Sequence, residues 1–332
     1  MSDFRPTADW AVLKHRAELL RRVRTFFDAR GFIEVETPLL SVDTVVDRHL
    51  DPPAVESIGC PLGESAALQK AQPQKMWLQT SPEFAMKRLL ASGAGAMYQI
   101  ARAFRWGERG PRHNPEFTIV EWYRPDDDYA AGMKLLSDLC RALLSRRDAE
   151  RVTYREAFVR HAGVDPHMAT LAELAVVAEQ RAPQSAAALR GVTDRDAWLD
   201  LLLVELIEPQ LGRGVPTILC DYPASQAALA RLRDGDPPVA ERFELYVDGI
   251  ELANGYHELL DPETLAARNA ENNRLRVADG KSPLPEASRL LDAMRHGLPP
   301  CTGCALGFDR VVMLACQKTR IEDVIAFPIE RA

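Results

Sequence analysis

Two stretches decide the fold: Phe104-Arg-Trp-Gly-Glu with Arg112-His-Asn-Pro-Glu-Phe117, and Pro299-Pro-Cys-Thr-Gly-Cys-Ala-Leu-Gly-Phe-Asp-Arg310. In the second stretch, glycines allow the backbone to lie close to a ligand, and Arg310 opens an apolar run of helical character. In the first stretch, Arg105 precedes a turn at Asn114-Pro115 that leads into a predicted strand. Two arginines, each beside a tight backbone element, suit a triphosphate bound from two sides. The pattern therefore predicts an ATP site.

Composition limits the classes of partner. The chain has 332 residues, a formal net charge of −7, 46% hydrophobic and 27% charged residues. These values are typical of a globular protein with one large or two ordinary domains. Proteins that mainly bind nucleic acid usually carry a basic surplus, so tRNA is not expected as the principal partner. The N-terminus lacks the apolar region of a signal peptide and no stretch is long enough to span a bilayer, which predicts a cytoplasmic protein with no membrane partner.

The six cysteines predict reduced thiols rather than a disulfide framework. Cys301-Thr-Gly-Cys304 matches a C-x-x-C pattern, but no second cysteine or histidine pair stands at zinc-ligand spacing. We therefore interpret this pair as part of the wall of the glycine-rich segment, with a metal or redox role as the alternative.

Hydrophobic periodicity and turn residues give a coarse order of elements. Helices are predicted over 10–30, 84–92, 130–147 and 153–207, and strands over 32–38, 76–80, 96–105, 117–123 and 215–220, with loops and a hairpin over 43–76. The stretch over 153–207 starts with the capping-box pattern Thr153-Tyr-Arg-Glu156. We interpret it as a helical insertion rather than a separate domain.

Asp248-Gly249 is a strong signal for a two-residue hairpin. If Val247 pairs with Ile250, Tyr246 pairs with Glu251, and Glu244 lies on the same face, diagonal to Glu251. Diagonal neighbours in a sheet are about 7–8 Å apart at Cα, which lets two carboxylates share Mg²⁺ or its waters. The alternative is two solvated glutamates on a half-exposed hairpin.

The order of these motifs resembles that of class II aminoacyl-tRNA synthetases. The three class II motifs are matched by Gly31-Phe-Ile-Glu-Val-Glu-Thr-Pro38, by Phe104-Arg105 with His113 to Phe117, and by Gly303 to Arg310. Ser81-Pro-Glu83, Glu121-Trp-Tyr123 and Gly249 to Glu258 narrow the resemblance to the lysyl-tRNA synthetase branch. It implies an α+β fold, the class II catalytic core with a mainly antiparallel sheet flanked by helices, and a homodimer with the 31–38 segment at the two-fold interface.

The resemblance covers residues 1–332 as a single catalytic domain. Lysyl-tRNA synthetases carry an anticodon-binding domain before the first motif, whereas here that motif begins at Gly31, so we expect no anticodon-binding domain. The chain is in this respect similar to the ligases of the branch that activate (R)-β-lysine with ATP and attach it to a lysine of translation elongation factor P. Two alternatives stay open: a truncated enzyme that charges tRNA, and an inactive partner-binding paralogue.

The resemblance also assigns residue roles. Arg105 and Arg310 would be the catalytic residues that hold the ATP phosphates, with Mg²⁺ on Glu244 and Glu251. The ATP-binding set is Arg105, Glu108, His113, Asn114, Phe117, Glu251, Leu252, Gly307 and Arg310. A lysine-like substrate brings two ammonium groups, and each buried cation needs a partner. The substrate-binding set is Ser81, Pro82, Glu83, Glu121, Tyr123, Asn254, Tyr256, Glu258 and Ala305.

Within the substrate set, Glu83 resembles the residue near the backbone-side amine, and Glu258, with Tyr123 and Asn254, resembles the group that binds the terminal amine. Two positions depart from the lysyl-tRNA synthetase pattern. Gly107 stands where the second motif usually has glutamate, and Glu108 is displaced by one residue. Ala305 replaces a glycine, an exchange the β-lysine ligases share; one methyl group is worth about 1–3 kcal/mol of discrimination.

Overall fold

The computed structural model describes residues 4–57 and 74–332. Its strands are β1 Ile33–Glu34, β2 Leu40–Ser41, β3 Ala54–Ser57, β4 Gln74–Leu78, β5 Met97–Phe104, β6 Glu116–Pro125, β7 Glu150–Thr153, β8 Thr217–Pro223, β9 Leu232–Arg233, β10 Val239–Val247, β11 Ile250–His257 and β12 Cys301–Gly307. Its helices are α1 Trp10–Asp28, α2 Glu83–Ala91, α3 Tyr129–Leu144, α4 Tyr154–His161, α5 Leu171–Arg181, α6 Pro183–Ala188, α7 Arg195–Leu202, α8 Pro262–Ala278, α9 Arg289–His296 and α10 Phe308–Ala315.

A central sheet carries both predicted motif regions. In the described parts of the chain it has nine strands, in the order β1-β5-β6-β12-β11-β10-β8-β7 with β9 paired to β10. All pairs are antiparallel except β1 with β5 and β7 with β8. The long hairpin partners β5–β6 and β10–β11 lie on either side of β12 and bring the two decisive stretches together. The predicted α+β class with a mainly antiparallel sheet is confirmed.

The two faces of the sheet have different coverings. One face packs against α1, α3 and α10 in a single large core. The other face carries separate apolar clusters: one with the helices of the 154–202 region at the β8 end, and one with α2 and α9 at the β5 end. A small apolar patch of Ala101, Ala103 and Ile119, with Phe117 and Ala305 against it, lies on β5, β6 and β12. The predicted site residues Glu121, Tyr123, Asn254, Tyr256 and Ala305 lie on this divided face, whereas the side chain of Leu252 lies in the large core on the other.

The structure shortens one predicted strand and supplies one predicted antiparallel pair. The strand predicted over 32–38 is reduced to β1, because its parallel pairing with β5 continues only through the bond from Val35 N to Tyr98 O and Pro38 has no N–H to extend it. In the 43–76 region the predicted hairpin is the antiparallel pair β3–β4. The rest of that prediction, residues 58–73 with Cys60, lies outside the described residues.

The helical stretch predicted over 153–207 is four helices and one π-helical turn, Leu203–Ile207. Pro166 and Pro183 interrupt it, since proline removes the N–H that an unbroken helix needs, and Pro183 instead starts α6. The capping box at Thr153 and Glu156 is confirmed. The parallel strands β7 and β8 flank these helices in sequence, so the chain leaves the sheet and returns beside its point of departure; the interpretation as an insertion stays a prediction.

Candidate active site

Register across three strands gathers the predicted amino-acid site. Glu121 on β6, Ala305 on β12 and Asn254 on β11 are direct neighbours in one row. Tyr123, Gly303 and Tyr256 form the next row of the same strands. Because residues two apart on a strand share a face, both rows present their side chains to the same side of the sheet. Segments that are far apart in sequence thus form one surface.

A β-bulge at Leu252 interrupts the register of the hairpin beyond the two predicted pairs. The pairs Val247–Ile250 and Tyr246–Glu251 are confirmed, but the register then shifts, so that Leu245 pairs with Ala253 and Glu244 pairs with Asn254. The unpaired Leu252 turns inward together with Ala253, and both are buried in the large core. In a regular strand residues 251 and 254 would face opposite sides. The bulge is what allows Glu251 and Asn254 to reach the same face, a common use of bulges beside functional sites.

Three buried carboxylates form the centre of the predicted amino-acid pocket: Glu83, Glu121 and Glu258. Glu121 accepts hydrogen bonds of 2.6 Å from the hydroxyls of Ser81 and Tyr123. The Ser81 hydroxyl also accepts a bond from the N–H of Glu83, which begins α2 directly after Pro82. The loop before α2 therefore fixes two of the three acids relative to each other.

A lysine that the sequence motifs do not mark, Lys87, completes this pocket. Nζ of Lys87 lies 2.5 Å from Oε1 of Glu83 and 2.5 Å from Oε2 of Glu258. Its side chain is only 2% exposed. The signal available in the sequence was the i,i+4 spacing from Glu83, but the predicted helix started one residue later, at Phe84, which left Glu83 outside it.

Burial and crowding raise the pKa of two of these acids, Glu121 and Glu258, and so favour their neutral form. Burial raises the pKa of Glu258, and the nearby Glu83 raises it further, against the opposing effect of Lys87. The pKa of Glu121 is raised by burial and by Glu83. Burial alone would lower the pKa of Lys87, but Glu258 and Glu83 outweigh it and raise that pKa above the ordinary value. Lys87 is therefore a permanent cation between Glu83 and Glu258, and its charge opposes the protonation of Glu258.

Two glycines of β12 stand in contrasting surroundings. A Cβ on Gly303 would overlap Oε1 of Glu258 and the ring of Tyr123, reaching 2.6 Å from Tyr123 Cδ1. A Cβ on Gly307 would meet only Leu252 O at 3.8 Å and Arg310 Cδ at 3.9 Å. Gly303 is thus required by protein packing, whereas Gly307 borders open space at the predicted nucleotide end.

Arg310 joins the two decisive stretches. It begins the first turn of α10, which is anchored by an ion pair of 2.6 Å between Asp309 and Arg16. Its Nη1 donates to Glu251 O at 2.8 Å and to Glu251 Oε2 at 3.2 Å, and its Nη2 lies 2.6 Å from His113 Nε2. Since a guanidinium only donates, His113 Nε2 is the acceptor here. Burial and the Arg310 charge lower the pKa of His113, so this imidazole is neutral.

Arg105 also lies close enough to His113 for its charge to lower the pKa of that histidine. Its guanidinium lies over the Phe117 ring, 5.1 Å from the centroid, and donates to Thr80 O at 3.4 Å. Glu108 Oε1 approaches Arg105 Nη1 to 3.8 Å. The displaced Glu108 therefore still faces Arg105, because Gly107 adopts a positive φ of 91° that turns the loop back.

Two other members of the predicted ATP set have side chains engaged within the protein. The Asn114 amide donates to Glu116 O and accepts from the N–H of Ile329. Leu252 has its side chain in the core. A contribution of these two residues to nucleotide binding would come from their backbone.

The predicted metal ligands Glu244 and Glu251 differ in their surroundings. Glu244 is buried, with Arg242 Nη2 at 2.5 Å and Tyr246 OH at 2.6 Å, whereas Glu251 is 36% exposed and paired with Arg310. A third acid, Glu208, accepts from the same Tyr246 hydroxyl at 3.3 Å. Burial, Glu251 and Glu244 raise the pKa of Glu208 to about 7. Neither Arg242 nor Glu208 was selected from the sequence.

These oxygens fit a cation that arrives with a nucleotide. Within residues 4–57 and 74–332, no three His, Cys, Asp or Glu side chains are grouped closely enough to hold a metal. Oδ1 of Asn254, opposite Glu244, is buried without a hydrogen-bond partner in the described structure and adds an oxygen donor. Mg²⁺ is usually bound by one or two carboxylates together with substrate phosphates, and the oxygens of Glu244, Glu251 and Asn254 are consistent with that coordination.

The C-x-x-C pair has a packing environment. Cys301 and Cys304 are free, buried and three positions apart on one strand, so their side chains face opposite sides of the sheet. Burial raises the pKa of both thiols, which keeps them neutral.

Comparisons with known proteins agree with this geometry. The family model described as tRNA synthetases class II (D, K and N) matches residues 2–331, and the chain belongs to this family. Curated relatives similar to the chain include the elongation factor P–(R)-β-lysine ligases of three bacteria. That of Yersinia enterocolitica is 43% identical over 100% of this chain and 99% of the relative. That of Pseudoalteromonas translucida is 45% identical over 98% of each chain, and that of Vibrio cholerae is 45% identical over 100% and 99%. No helix in the described ranges has the length and apolar character of a membrane span.

Proposed function

We propose that this chain is an ATP-dependent, AMP-forming ligase that activates (R)-β-lysine and transfers it to a lysine of translation elongation factor P. The observation that carries the proposal is the buried group of Glu83, Glu121 and Glu258 beside the Arg105–His113–Arg310 cluster. An acid-lined pocket accepts a diamine, and a cationic cluster accepts phosphates. The relatives named as elongation factor P–(R)-β-lysine ligases support the choice of both substrates.

The first step forms an adenylate. The substrate carboxylate attacks the α-phosphorus of ATP, the bond to the β-phosphate oxygen breaks, and pyrophosphate leaves. Negative charge builds on the α-phosphate oxygens in the transition state, where Arg105 and Arg310 would act by positioning and electrostatics. The contacts of Arg310 with Glu251 and His113, and of Arg105 with Phe117 and Thr80, hold both guanidiniums in place before ATP arrives.

Mg²⁺ held by Glu244 and Glu251 would neutralise phosphate charge and orient the leaving pyrophosphate. Glu251 is the more exposed of the two acids and is paired with Arg310, so it is the one whose side chain would turn toward Mg²⁺. Arg242 Nη2 contacts the Glu244 carboxylate at 2.5 Å, and the Tyr246 hydroxyl donates to it at 2.6 Å, so both residues orient this carboxylate.

The second step is attack of a neutral lysine ε-amine on the adenylate carbonyl. The carbon–oxygen bond to AMP breaks, an amide forms, and the amine loses its proton to solvent. A covalent enzyme intermediate is not needed, and the thiols nearest to the pocket, Cys301 and Cys304, are buried and neutral. Since the proposed acceptor is a translation factor, the reaction belongs to the cytoplasm.

We also infer that the enzyme works as one catalytic domain in a homodimer. The β1 strand forms one edge of the sheet, and Ile33 on it is 64% exposed, which suits a self-complementary interface. Ile33→Lys should convert a dimer into a monomer in light scattering coupled to gel filtration. A monomeric unaltered chain would contradict this part of the proposal.

The main experiment measures the intact mass of elongation factor P after incubation with the chain, Mg-ATP and (R)-β-lysine, with bulk tRNA in a parallel reaction. We expect the mass of one β-lysyl group on the protein and no charged tRNA. Glu258→Gln should abolish the addition, whereas Lys134→Met, at an exposed ion pair on α3, should not. Charged tRNA with unmodified elongation factor P would overturn the proposal.

A further inference from the structure

Lys87 occupies the position between the two acids that are predicted to bind the substrate amines. Its ammonium group contacts Glu83 on its own helix, one turn earlier, and Glu258 at the end of β11. Helix α2 packs against α9 and β6, and Lys87 projects from it toward the sheet, with its Nζ 6.0 Å from the centre of the Tyr123 ring. The lysine therefore belongs to the wall of the pocket.

The charges of this group do not cancel in the empty protein. Glu83, Glu121 and Glu258 bring three negative charges when ionised, and Lys87 brings one positive charge. Two negative charges are left without a contacting cation, which is costly for side chains that are almost completely buried. A substrate with two ammonium groups supplies the two missing positive charges. A substrate with only one ammonium group would leave one buried carboxylate without a compensating positive charge.

We propose that Lys87 is a positioning residue that holds Glu83 and Glu258 apart in fixed orientations and sets the charge of the pocket to suit a diammonium substrate. The inference rests on the proposed function, since it concerns the amino acid that this site activates. Lys87 makes no bond to the substrate in this scheme; it acts through the two carboxylates. Its removal leaves three acids for two substrate amines.

The pH behaviour of the pocket supports this role. The raised pKa values of Glu121 and Glu258 mean that the empty pocket takes up protons, whereas Lys87 opposes the uptake because its charge lowers both values. The groups that face Lys87 come from four elements. They are Glu83 from α2, Glu121 and Tyr123 from β6, Glu258 after β11, and the thiol of Cys301 from β12.

The test is amino-acid-dependent exchange of pyrophosphate into ATP with (R)-β-lysine and, separately, L-lysine. We expect Lys87→Met to raise the KM for the amino acid at least about tenfold and to leave the KM for ATP unchanged. The acid limb of kcat/KM for the amino acid should move to higher pH, because the acids lose the cation that favours their ionised form. Lys87→Arg should return the acid limb of kcat/KM to the pH observed for the unaltered protein. The matched control is Lys134→Met, which breaks an i,i+4 pair on the solvent side of α3 and should change neither value.

A measurement on the unaltered protein covers the case in which Lys87→Met does not fold. Calorimetric binding of (R)-β-lysine in two buffers of different ionisation enthalpy should show net proton release near neutral pH, since the substrate amines displace protons from the acids. Absence of proton release would overturn the charge argument, and an unchanged pH limb and KM in folded Lys87→Met would overturn the role of Lys87. If the unaltered protein exchanges pyrophosphate with neither amino acid, it is the proposed function that fails.

Discussion

Replacement of Gly303 by alanine is a sharp probe of the amino-acid pocket. The added methyl would lie 2.6 Å from Tyr123 Cδ1 and would overlap the Glu258 carboxylate. Carbon atoms in contact are ordinarily about 3.5–4.0 Å apart, so the Tyr123 ring must move by about 1 Å or more. Overpacking of this kind costs about 1–3 kcal/mol.

The displaced groups are predicted to bind the substrate, so the cost should appear in amino-acid recognition. If it is expressed there in full, the KM for (R)-β-lysine rises about 5- to 140-fold in pyrophosphate exchange, at about 1.4 kcal/mol for each factor of ten. The KM for ATP should not change. Thermal unfolding, measured in parallel, should show a lower Tm.

The matched control lies four residues away on the same strand. A methyl on Gly307 meets its nearest protein atoms at 3.8 and 3.9 Å, which is ordinary contact, so Gly307→Ala should keep its Tm. It reduces space at the predicted nucleotide end, and we expect a higher KM for ATP with an unchanged KM for the amino acid. If Gly303→Ala raised the KM for ATP and not that for the amino acid, the assignment of the two ends of the site would be refuted.

Three further predictions concern charge. Arg310→Lys keeps the charge but loses the fork that contacts Glu251 and His113, and should lower kcat by about 10²–10³ with unchanged calorimetric affinity for the amino acid; unchanged kcat would argue against a role on the phosphates. Burial raises the pKa of Glu121 and Glu258 in the folded state, so their contribution to stability is present in acid and lost as pH rises. The Tm of the substrate-free enzyme should therefore fall between about pH 5 and about pH 8, while kcat/KM for the amino acid rises. A Tm that rises over this range would contradict the direction of these pKa shifts. Chelation of divalent cations should stop pyrophosphate exchange without lowering the Tm of the ATP-free protein, since no three-ligand metal cluster occurs in the described chain; a large loss of Tm would indicate a structural metal.

Local chemistry predicted much of the fold. The Asp248-Gly249 turn gave the correct hairpin and its first two pairs, because two-residue turns are specified by the residues within them. The capping box at Thr153 gave the correct start of α4 for the same reason. The strand expected over 32–38 was too long, since strand length depends on a partner, and β5 pairs with only two of these residues.

The parts of the site that escaped prediction depend on tertiary contacts. No sequence signal marks Leu252 as an extra residue; the bulge follows from packing Leu252 and Ala253 together into the core. Lys87 looks like an exposed helical lysine until Glu258 is brought to it from a strand 171 positions later. The roles of individual residues in binding ATP, metal and substrate stay predictions, although the structure places both rows of the amino-acid pocket on one face.

The extra residue at position 252 shifts the alternation of side chains along β11, so the strand has one phase of alternation before the bulge and another after it. Glu251 lies before the bulge, and Asn254 and Tyr256 lie after it. Deletion of Leu252 alone would leave every polar side chain in the chain, yet it would turn one of the two sets toward the helices on the opposite face. Side chains on this strand can therefore be exchanged one at a time, whereas its length tolerates no single-residue change without separating the phosphate end of the site from the amine end.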